Sequence, residues 1–290
     1  MKRIQFAYMK IPNMGDLLNE LLMERVFKAE YVNTTRVPDF EITGIGSFLD
    51  SLFEGPMTRE KNGIKSELRH FLYMHTYTHC YTWGTGFITD VSDKMTGLSR
   101  NNVYFMAVRG NKSKACIEKI LNKKIDPVLG DGGILASMLF DKSIEKKYPI
   151  GIIPHFKEQG CTEMNFILRK YPNAKVINLK DEAMKVIREI AECDVILSSS
   201  LHGLIVADSF GIPNIRVYFT DSPMGDGFKF DDYYSAYGVM APAHRIKSVE
   251  DVPEKKHILD SYFISDAMVS KMQKDMYHCM NQYLKNRAIK

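Results

Sequence analysis

Short apolar runs alternate with amphipathic stretches along the chain, a pattern that predicts strands and helices in turn. In the first half it predicts strands at residues 3–8, 41–46, 78–82 and 103–108, and helices at residues 17–28, 113–121 and 133–140. The first of these helices carries leucines at helical spacing behind Asp16, whose side chain stands where an N-cap is expected.

The alternation restarts after a charged stretch at residues 141–148. The second half is predicted to contain strands at residues 150–154, 175–178, 194–197 and 215–219, and helices at 162–170, 182–193, 201–210 and 265–286. The charged stretch offers little to bury, so it predicts a link between two domains, residues 1–145 and residues 146–290. The last helix carries methionines at a spacing of four, and we expect it to pack back across the domain boundary.

Strands that alternate with helices predict the α/β class, here with two parallel sheets joined by right-handed crossovers. Ligands bind such sheets beyond the carboxyl ends of the strands. Two sheet-containing halves joined by a short link therefore predict a binding crevice between them. No window approaches 18 consecutive apolar residues, so no transmembrane helix is expected.

Composition excludes several classes of protein without naming a function. The 45% hydrophobic and 26% charged residues exclude fibrous and disordered chains. The net charge of +4 is spread along the sequence, unlike the basic stripe of a nucleic-acid binder, but it is compatible with a small anionic substrate. The five cysteines lie far apart without a metal-binding spacing, so we expect no metal. Polar residues interrupt the N-terminal apolar run of a secretory signal, so we expect a cytoplasmic protein.

The segment DVILSSSLHGLIVADSFGIP, residues 194–213, carries most of the chemical information. A buried strand runs into three serines, and a helix is predicted to begin at Leu201. The first turn of a helix has unpaired N–H groups and the positive end of the helix dipole, which together favour an anion. Gly203 would let a ligand approach the backbone, and His202 titrates near neutrality and could transfer a proton. The alternative is structural: Ser200 caps the helix and His202 packs inside.

This segment resembles the signature of the polysaccharide pyruvyl transferase family. The resemblance extends, in family order, to NMGDLLN at 13–19, IGSFLD at 45–50, WGTGF at 83–87, AVRGNKS at 107–113, LGDGG at 129–133, IPH at 153–155 and FKFDDYYS at 228–235. Each short motif is weak alone, whereas the ordered set with the SLHG block is specific.

The resemblance implies two Rossmann-like domains arranged similarly to the glycosyltransferase B fold, with the active site in the cleft between them. The N-terminal domain would face the acceptor and the C-terminal domain the donor. The implied enzyme is a transferase that moves the enolpyruvyl group of phosphoenolpyruvate onto two hydroxyls of a sugar as a pyruvate ketal, in capsule or exopolysaccharide biosynthesis. Phosphoenolpyruvate is a co-substrate, and no cofactor or metal is implied.

The implied reaction needs cations for the donor's carboxylate and phosphate, an acid for its vinyl carbon and a base for the sugar hydroxyl. The candidate donor-binding residues are Arg109, Ser199, Ser200, Leu201, Gly203 and Lys229. The candidate catalytic residues are His202, His155 and Asp16, and the candidate acceptor-binding residues are Asn13, Gly15 and Asn19. Some members of the family have an arginine where this chain has Ser200, and Lys229 or Arg216 would replace it here.

Two other functions fit the predicted fold, because a fold does not determine a function. One is a sugar-nucleotide glycosyltransferase, which would bind a nucleotide sugar instead of phosphoenolpyruvate. The other is a non-catalytic glycan-binding relative. The expected partners are phosphoenolpyruvate and a sugar or lipid-linked oligosaccharide acceptor, with peripheral membrane contact through such a lipid and no nucleic acid.

Overall fold

The structure, a computed structural model, describes residues 3–55, 63–220, 227–240 and 242–289. These residues form a mixed α/β protein with two five-stranded parallel sheets, one in each half of the chain. The predicted α/β class and parallel sheets are therefore confirmed. Within the described ranges, no helix is long and apolar enough to cross a membrane.

The first half builds its main sheet from strands in the order β2-β1-β3-β5-β7, all parallel. Its elements in chain order are β1 (Ile4–Ala7), α1 (Met14–Leu21), β2 (Tyr31–Asn33), β3 (Ile42–Thr43), β4 (Phe53–Glu54), α2 (Gly63–Met74), β5 (Cys80–Thr82), β6 (Gly97–Leu98), β7 (Val103–Tyr104), β8 (Ala107–Val108), α3 (Asn111–Leu121) and β9 (Val128–Leu129). β4 pairs antiparallel with β6, and β8 pairs parallel with β9. A π-helical turn, Leu22–Val26, continues α1.

The second half forms a parallel sheet in the order β11-β10-β12-β13-β14. Its elements are β10 (Gly151–Ile153), α4 (Met164–Lys170), β11 (Lys175–Val176), α5 (Ala183–Ala191), β12 (Ile196–Ser198), α6 (Leu201–Ser209), β13 (Asn214–Tyr218), α7 (Phe228–Ser235), β14 (His244–Arg245), α8 (Lys255–Asp260) and α9 (Asp266–Ile289). Two 3₁₀ helices, Leu49–Leu52 and Gly132–Leu139, lie in the first half.

The structure differs from the sequence prediction at several places. α1 begins at Met14, because the side chain of Asn13 accepts a hydrogen bond from the Gly15 N–H at 3.2 Å, so Asp16 lies in the first turn and is not the N-cap. The strand predicted at 103–108 is divided into β7 and β8, which belong to different sheets. The helix predicted at 133–140 is the 3₁₀ helix Gly132–Leu139, and α2 was not predicted at all.

Side chains from both halves share one hydrophobic core. Phe6 and Trp83 from the first half belong to the same buried cluster as Ile153 and Ile190 from the second. α9 contacts the first half, since the Trp83 indole N–H donates to the carbonyl of Met276 at 3.1 Å and Arg287 pairs with Glu41 at 2.8 Å. The two halves of the chain are therefore in extensive contact. The predicted domain boundary between residues 145 and 146 stays a prediction.

A buried ion pair also joins the two halves. Arg109 follows β8 and is 1% exposed, and its Nε donates to Oδ2 of Asp232 on α7, which is 0% exposed, at 3.0 Å. The same carboxylate accepts hydrogen bonds from the N–H of Ser113 at 2.7 Å and from its hydroxyl at 2.6 Å. A Cβ on Gly110 would lie 1.7 Å from the Asp232 carbonyl oxygen, so glycine is required where the two segments meet.

Replacing Asp232 by Ala would leave the Arg109 guanidinium buried without its counter-charge. We expect Asp232→Ala to lower the free energy of unfolding by about 3–5 kcal/mol, the cost of breaking a buried ion pair from one side. Asp260→Ala is the matched control, because Asp260 is exposed and pairs at the surface with Lys256 at 2.6 Å. That control should cost less than about 1 kcal/mol in urea denaturation. Equal losses in the two variants would contradict the role of the buried pair.

Candidate active site

The turn from β12 into α6 has an uncapped helix start. Ser200 occupies the N-cap position in an extended conformation, but its side chain forms no capping hydrogen bond. The alternative interpretation, in which the Ser200 side chain caps the helix, is therefore wrong, and its role in donor binding stays a prediction. The backbone N–H groups of Leu201 and His202 begin the first turn, so the positive end of the helix dipole is left uncompensated by a serine hydroxyl.

The hydroxyls of the other two serines of the turn, Ser198 and Ser199, form hydrogen bonds with backbone groups of the protein. The Ser198 hydroxyl donates to the carbonyl of Ile153 at 3.1 Å and accepts from the N–H of Ser200 at 3.0 Å. A Cβ on Gly203 would lie 2.5 Å from Ser198 Oγ and 3.0 Å from a methyl group of Ile153. The space beside Gly203 is thus filled by the strands beneath the helix, which corrects the expectation that a ligand approaches there.

His202 is the point at which the N-terminal motif meets the second half. A Cβ on Gly15 would lie 2.1 Å from Nδ1 of His202, so the first turn of α1 packs directly against the imidazole. The other ring nitrogen, Nε2, is buried and has no hydrogen-bond partner among the residues that the structure describes. Burial lowers the pKa of His202 to about 3, and the positive charges of Lys229 and Arg109 act in the same direction.

His155 lies at the end of β10, beside the same turn. Its backbone N–H donates to the hydroxyl of Ser199 at 2.8 Å, and its Nδ1 accepts from the N–H of Lys157 at 3.3 Å. Ser199 therefore positions His155, and the ring presents Nε2 as its remaining polar atom. Burial lowers the pKa of His155 to about 4, with further contributions from Lys229 and Lys157.

Lys229 lies on the first turn of α7, and its positive charge influences the pKa values of His202, His155 and Asp16. Its Nζ lies 5.4 Å from the centre of the Phe230 ring and forms no ion pair with the described residues. Burial, together with the charges of Arg109, Arg216 and Lys157, lowers the pKa of Lys229 to about 8. An unpaired, partly desolvated lysine among other cations favours an anionic ligand.

Asp16 is the acidic residue of this group, and its negative charge acts to raise the pKa of Lys229. Burial raises the pKa of Asp16 to about 7, while Lys229 acts to lower it. Asp16 is therefore poised to gain or lose a proton near neutral pH, as a general base must be. The structure brings together Asp16 from α1, His155 after β10, His202 on α6 and Lys229 on α7.

Three predicted ligand-binding residues have structural contacts instead. The Arg109 guanidinium is buried and, besides Asp232, donates to the Ser47 hydroxyl at 3.1 Å and to the Phe87 carbonyl. The Asn19 amide is fully buried and binds both backbone groups of Ile45. Asn13 caps α1. Direct contact of Arg109 with the donor, and of Asn13 and Asn19 with the acceptor, stays a prediction.

Two residues could replace the arginine that precedes LHG in other members of the family. Arg216 on β13 pairs in register with Ser198, stacks over Phe230 at 4.1 Å and approaches Asp231 at 3.6 Å. Because Arg216 already has a carboxylate partner and Lys229 has none among the described residues, the geometry favours Lys229.

Sequence reasoning missed two parts of this region. The charge of Lys157 lowers the pKa of both His155 and Lys229. The sequence could have indicated Lys157 through its position two residues after the IPH motif. Asp208 on α6 is buried and accepts hydrogen bonds from Asn214, Tyr233 and Tyr262, which join α6 to α7 and to the segment before α9. No cluster of three or more metal-ligating side chains occurs among the described residues.

The model of the polysaccharide pyruvyl transferase family matches residues 77–221, which is half of the chain. The chain belongs to this family. The matched range includes the WGTGF, AVRGNKS, LGDGG, IPH and SLHG segments. NMGDLLN and FKFDDYYS lie outside it, so the structure alone brings Asp16 and Lys229 to the two histidines.

Two curated proteins are similar to parts of the chain. It is 31% identical over 154 residues to the uncharacterized protein L143 of Acanthamoeba polyphaga mimivirus, an alignment that covers 50% of this chain and 54% of that protein. It is 27% identical over 122 residues to the succinoglycan biosynthesis protein ExoV of Rhizobium meliloti (strain 1021), covering 42% of this chain and 36% of ExoV. The chain thus matches 54% or less of the length of either relative.

Among solved structures, the functionally uncharacterized protein KP1_0663 of Klebsiella pneumoniae aligns with 80% of this chain and 87% of its own length. The TM-score is 0.42 and the sequence identity is 14%.

Anion binding at this family member's cationic site should be accompanied by proton uptake. Near pH 8 about half of Lys229 is neutral, because its pKa is about 8. A bound anion raises that pKa, so Lys229 gains up to about half a proton, and Asp16 gains a smaller fraction for the same reason. Calorimetry with inorganic phosphate at pH 8, in buffers of different ionisation enthalpy, measures this uptake.

The matched control for this measurement is Lys271→Met on α9, where Lys271 pairs with Asp275 at 2.6 Å. Lys229→Met should remove most of the uptake and weaken phosphate binding, whereas Lys271→Met should leave both unchanged. Proton release on binding by the wild-type protein would contradict the assignment.

Proposed function

We propose that this chain transfers the enolpyruvyl group of phosphoenolpyruvate to two hydroxyls of a sugar, forming a pyruvate ketal in polysaccharide biosynthesis. Membership of the pyruvyl transferase family and the similarity to a succinoglycan biosynthesis protein support the reaction class. The observation that carries the proposal is the convergence of an unpaired lysine, two neutral histidines and one carboxylic acid. A small donor with a phosphate and a carboxylate complements that set of charges.

The proposed architecture is a pair of Rossmann-like domains similar to the glycosyltransferase B fold, with the donor held by the second and the acceptor by the first. Two parallel sheets, one in each half, support this arrangement. His155 and the SLHG turn follow the carboxyl ends of β10 and β12, where ligands of parallel sheets bind. The first turn of α1 faces His202 from the other half. We place the reaction in the cytoplasm, where phosphoenolpyruvate is made.

Donor binding would rest on Lys229 and on the uncapped start of α6, where Leu201 and His202 offer backbone N–H groups. Lys157 adds a second cation, because its charge acts on both His155 and Lys229. Arg109 would contribute to donor binding through its positive charge at a distance, because that charge lowers the pKa of both His202 and Lys229. Glycines and buried serines beneath the turn keep the cradle rigid, so its donors need little reorganisation when the ligand binds.

The proposed proton transfers balance across one turnover. His202 gives a proton to the vinyl carbon of the donor, and the cationic centre formed at the adjacent carbon is attacked by the first sugar hydroxyl, whose proton passes to Asp16. Inorganic phosphate then leaves with the proton held by Asp16, which restores the base, and attack by the second hydroxyl closes the ketal and returns its proton to His202. The bound phosphate and carboxylate raise the pKa of His202 from about 3, so the acid is charged only when donor is present.

The direct test mixes the protein with phosphoenolpyruvate and a panel of sugar and oligosaccharide acceptors. The expected result is release of inorganic phosphate together with a product whose mass corresponds to a pyruvate ketal of one acceptor. Binding of a nucleotide sugar without binding of phosphoenolpyruvate would instead identify a glycosyltransferase. Binding of glycans without turnover of either donor would identify a non-catalytic relative.

His202→Asn separates catalysis from binding in that assay. Asn keeps a hydrogen-bond donor but cannot carry the proton, so kcat should fall by about 10²–10⁴ while donor affinity changes much less. His278→Asn, at an exposed position of α9, is the control and should leave kcat unchanged. A collapse of donor affinity with kcat near the wild-type value would make His202 a binding residue and move the acid role to His155.

A further inference from the structure

α2 carries a stripe of apolar side chains that the rest of the described protein does not cover. Ile64 is 88% exposed, Leu68 59%, Phe71 57% and Leu72 58%. Their spacing of four, three and one residues places all four on one face of the helix. None of the four belongs to, or packs against, a hydrophobic cluster of the described residues. Large apolar side chains exposed side by side indicate an interaction surface.

The opposite face of α2 fixes the orientation of this stripe. Ser66 is buried, and Nδ1 of His70 lies 3.0 Å from Oε2 of Glu54 on β4. Both residues lie on the side of the helix away from Leu68, because they are two positions from it. The stripe therefore cannot turn inward without breaking these contacts, and no other described part of the protein covers it.

The charges beside the stripe indicate what would cover it. Lys65 and Arg69, one helical turn apart, are exposed along one border of the apolar face and form no ion pair with the described residues. Tyr77, three residues beyond the helix, is 94% exposed. The opposite border carries one acidic residue, the exposed Glu67, so the charges beside the stripe are basic in sum. An apolar face with a basic border and an exposed tyrosine nearby matches the boundary between lipid headgroups and acyl chains.

A second copy of the chain fits the stripe less well. At roughly 100 Å² for each apolar side chain, the four residues offer roughly 400 Å². Two such faces would bury roughly 800 Å², below the 1,200 Å² or so at the lower end of stable interfaces. A copy of the same face supplies one carboxylate, that of the exposed Glu67, for the two cations Lys65 and Arg69, whereas anionic headgroups supply a phosphate for each.

We propose that α2 docks the protein on an anionic lipid surface. Ile64, Leu68, Phe71 and Leu72 enter the headgroup boundary, while Lys65 and Arg69 contact lipid phosphates. This surface is separate from the residues assigned to the reaction, and its existence does not depend on the proposed function. For a lipid-linked acceptor, docking would hold the enzyme at the membrane that carries its substrate.

The experiment measures sedimentation of the full chain with vesicles of phosphatidylcholine and with vesicles that also contain phosphatidylglycerol. We expect binding mainly to the anionic vesicles and weaker binding as salt is added. The double variant Leu68→Glu, Phe71→Glu should bind at least about tenfold more weakly. Lys65→Gln and Arg69→Gln should each weaken binding to anionic vesicles about fivefold. Leu259→Glu, a half-exposed position on α8, is the control and should bind as the wild type does.

Two further measurements separate the possible outcomes. Circular dichroism establishes that each variant is folded, and phosphate release with a soluble acceptor measures the reaction away from any membrane. Vesicle binding that depends on α2 without turnover would leave docking in place and reject the proposed function. Absence of vesicle binding by the wild type, unchanged binding by the double variant, or a dimer that the double variant dissociates would each overturn the docking proposal.

Discussion

The buried pair of Arg109 and Asp232 is the contact on which the rest of the site depends. A charge without water is tolerated only while its partner stays in place, so the segments that carry the two residues are held together as one unit. One segment follows β8 in the first half, and the other is α7 in the second. Lys229 lies three residues before Asp232 and therefore on a neighbouring face of the same helix. The ion pair thus sets where Lys229 stands relative to His202 and Asp16.

The charge of Arg109 is balanced inside the protein, but the charge of Lys229 is not. Arg109 is compensated by Asp232, whereas Lys229 has no carboxylate at ion-pair distance among the described residues. Burial first, and then repulsion from the neighbouring cations, lower the pKa of Lys229 and keep both histidines neutral. An anionic ligand removes this repulsion, so the free energy lost in folding the site is regained on binding.

The sequence predicted what depends on local pattern and residue type. Alternating periodicity was sufficient for the α/β class and the parallel sheets. The SLHG and NMGD segments led to the prediction of His202 and Asp16 as site residues, and the structure brings these two segments together. What it could not predict depends on tertiary contacts. Arg109 was expected at a crevice surface because an arginine after a strand has the right chemistry, and only the fold brings Asp232 to it. Asn13 and Asp16 are both good caps, and the choice between them depends on where the first turn begins. α2 was missed although its apolar spacing is helical.

The low pKa of His202 bears on the order of events in the proposed reaction. At neutral pH the His202 imidazole is uncharged, because burial and two nearby cations lower its pKa. A general acid that is uncharged cannot protonate a carbon, so the free enzyme is inactive in that role. The phosphate and carboxylate of the donor supply the negative charge that permits protonation of His202. Binding of the donor and activation of the acid are then one electrostatic event. Because Gly15 packs against the same imidazole, α1 from the proposed acceptor side lies in contact with the group that donor binding would activate.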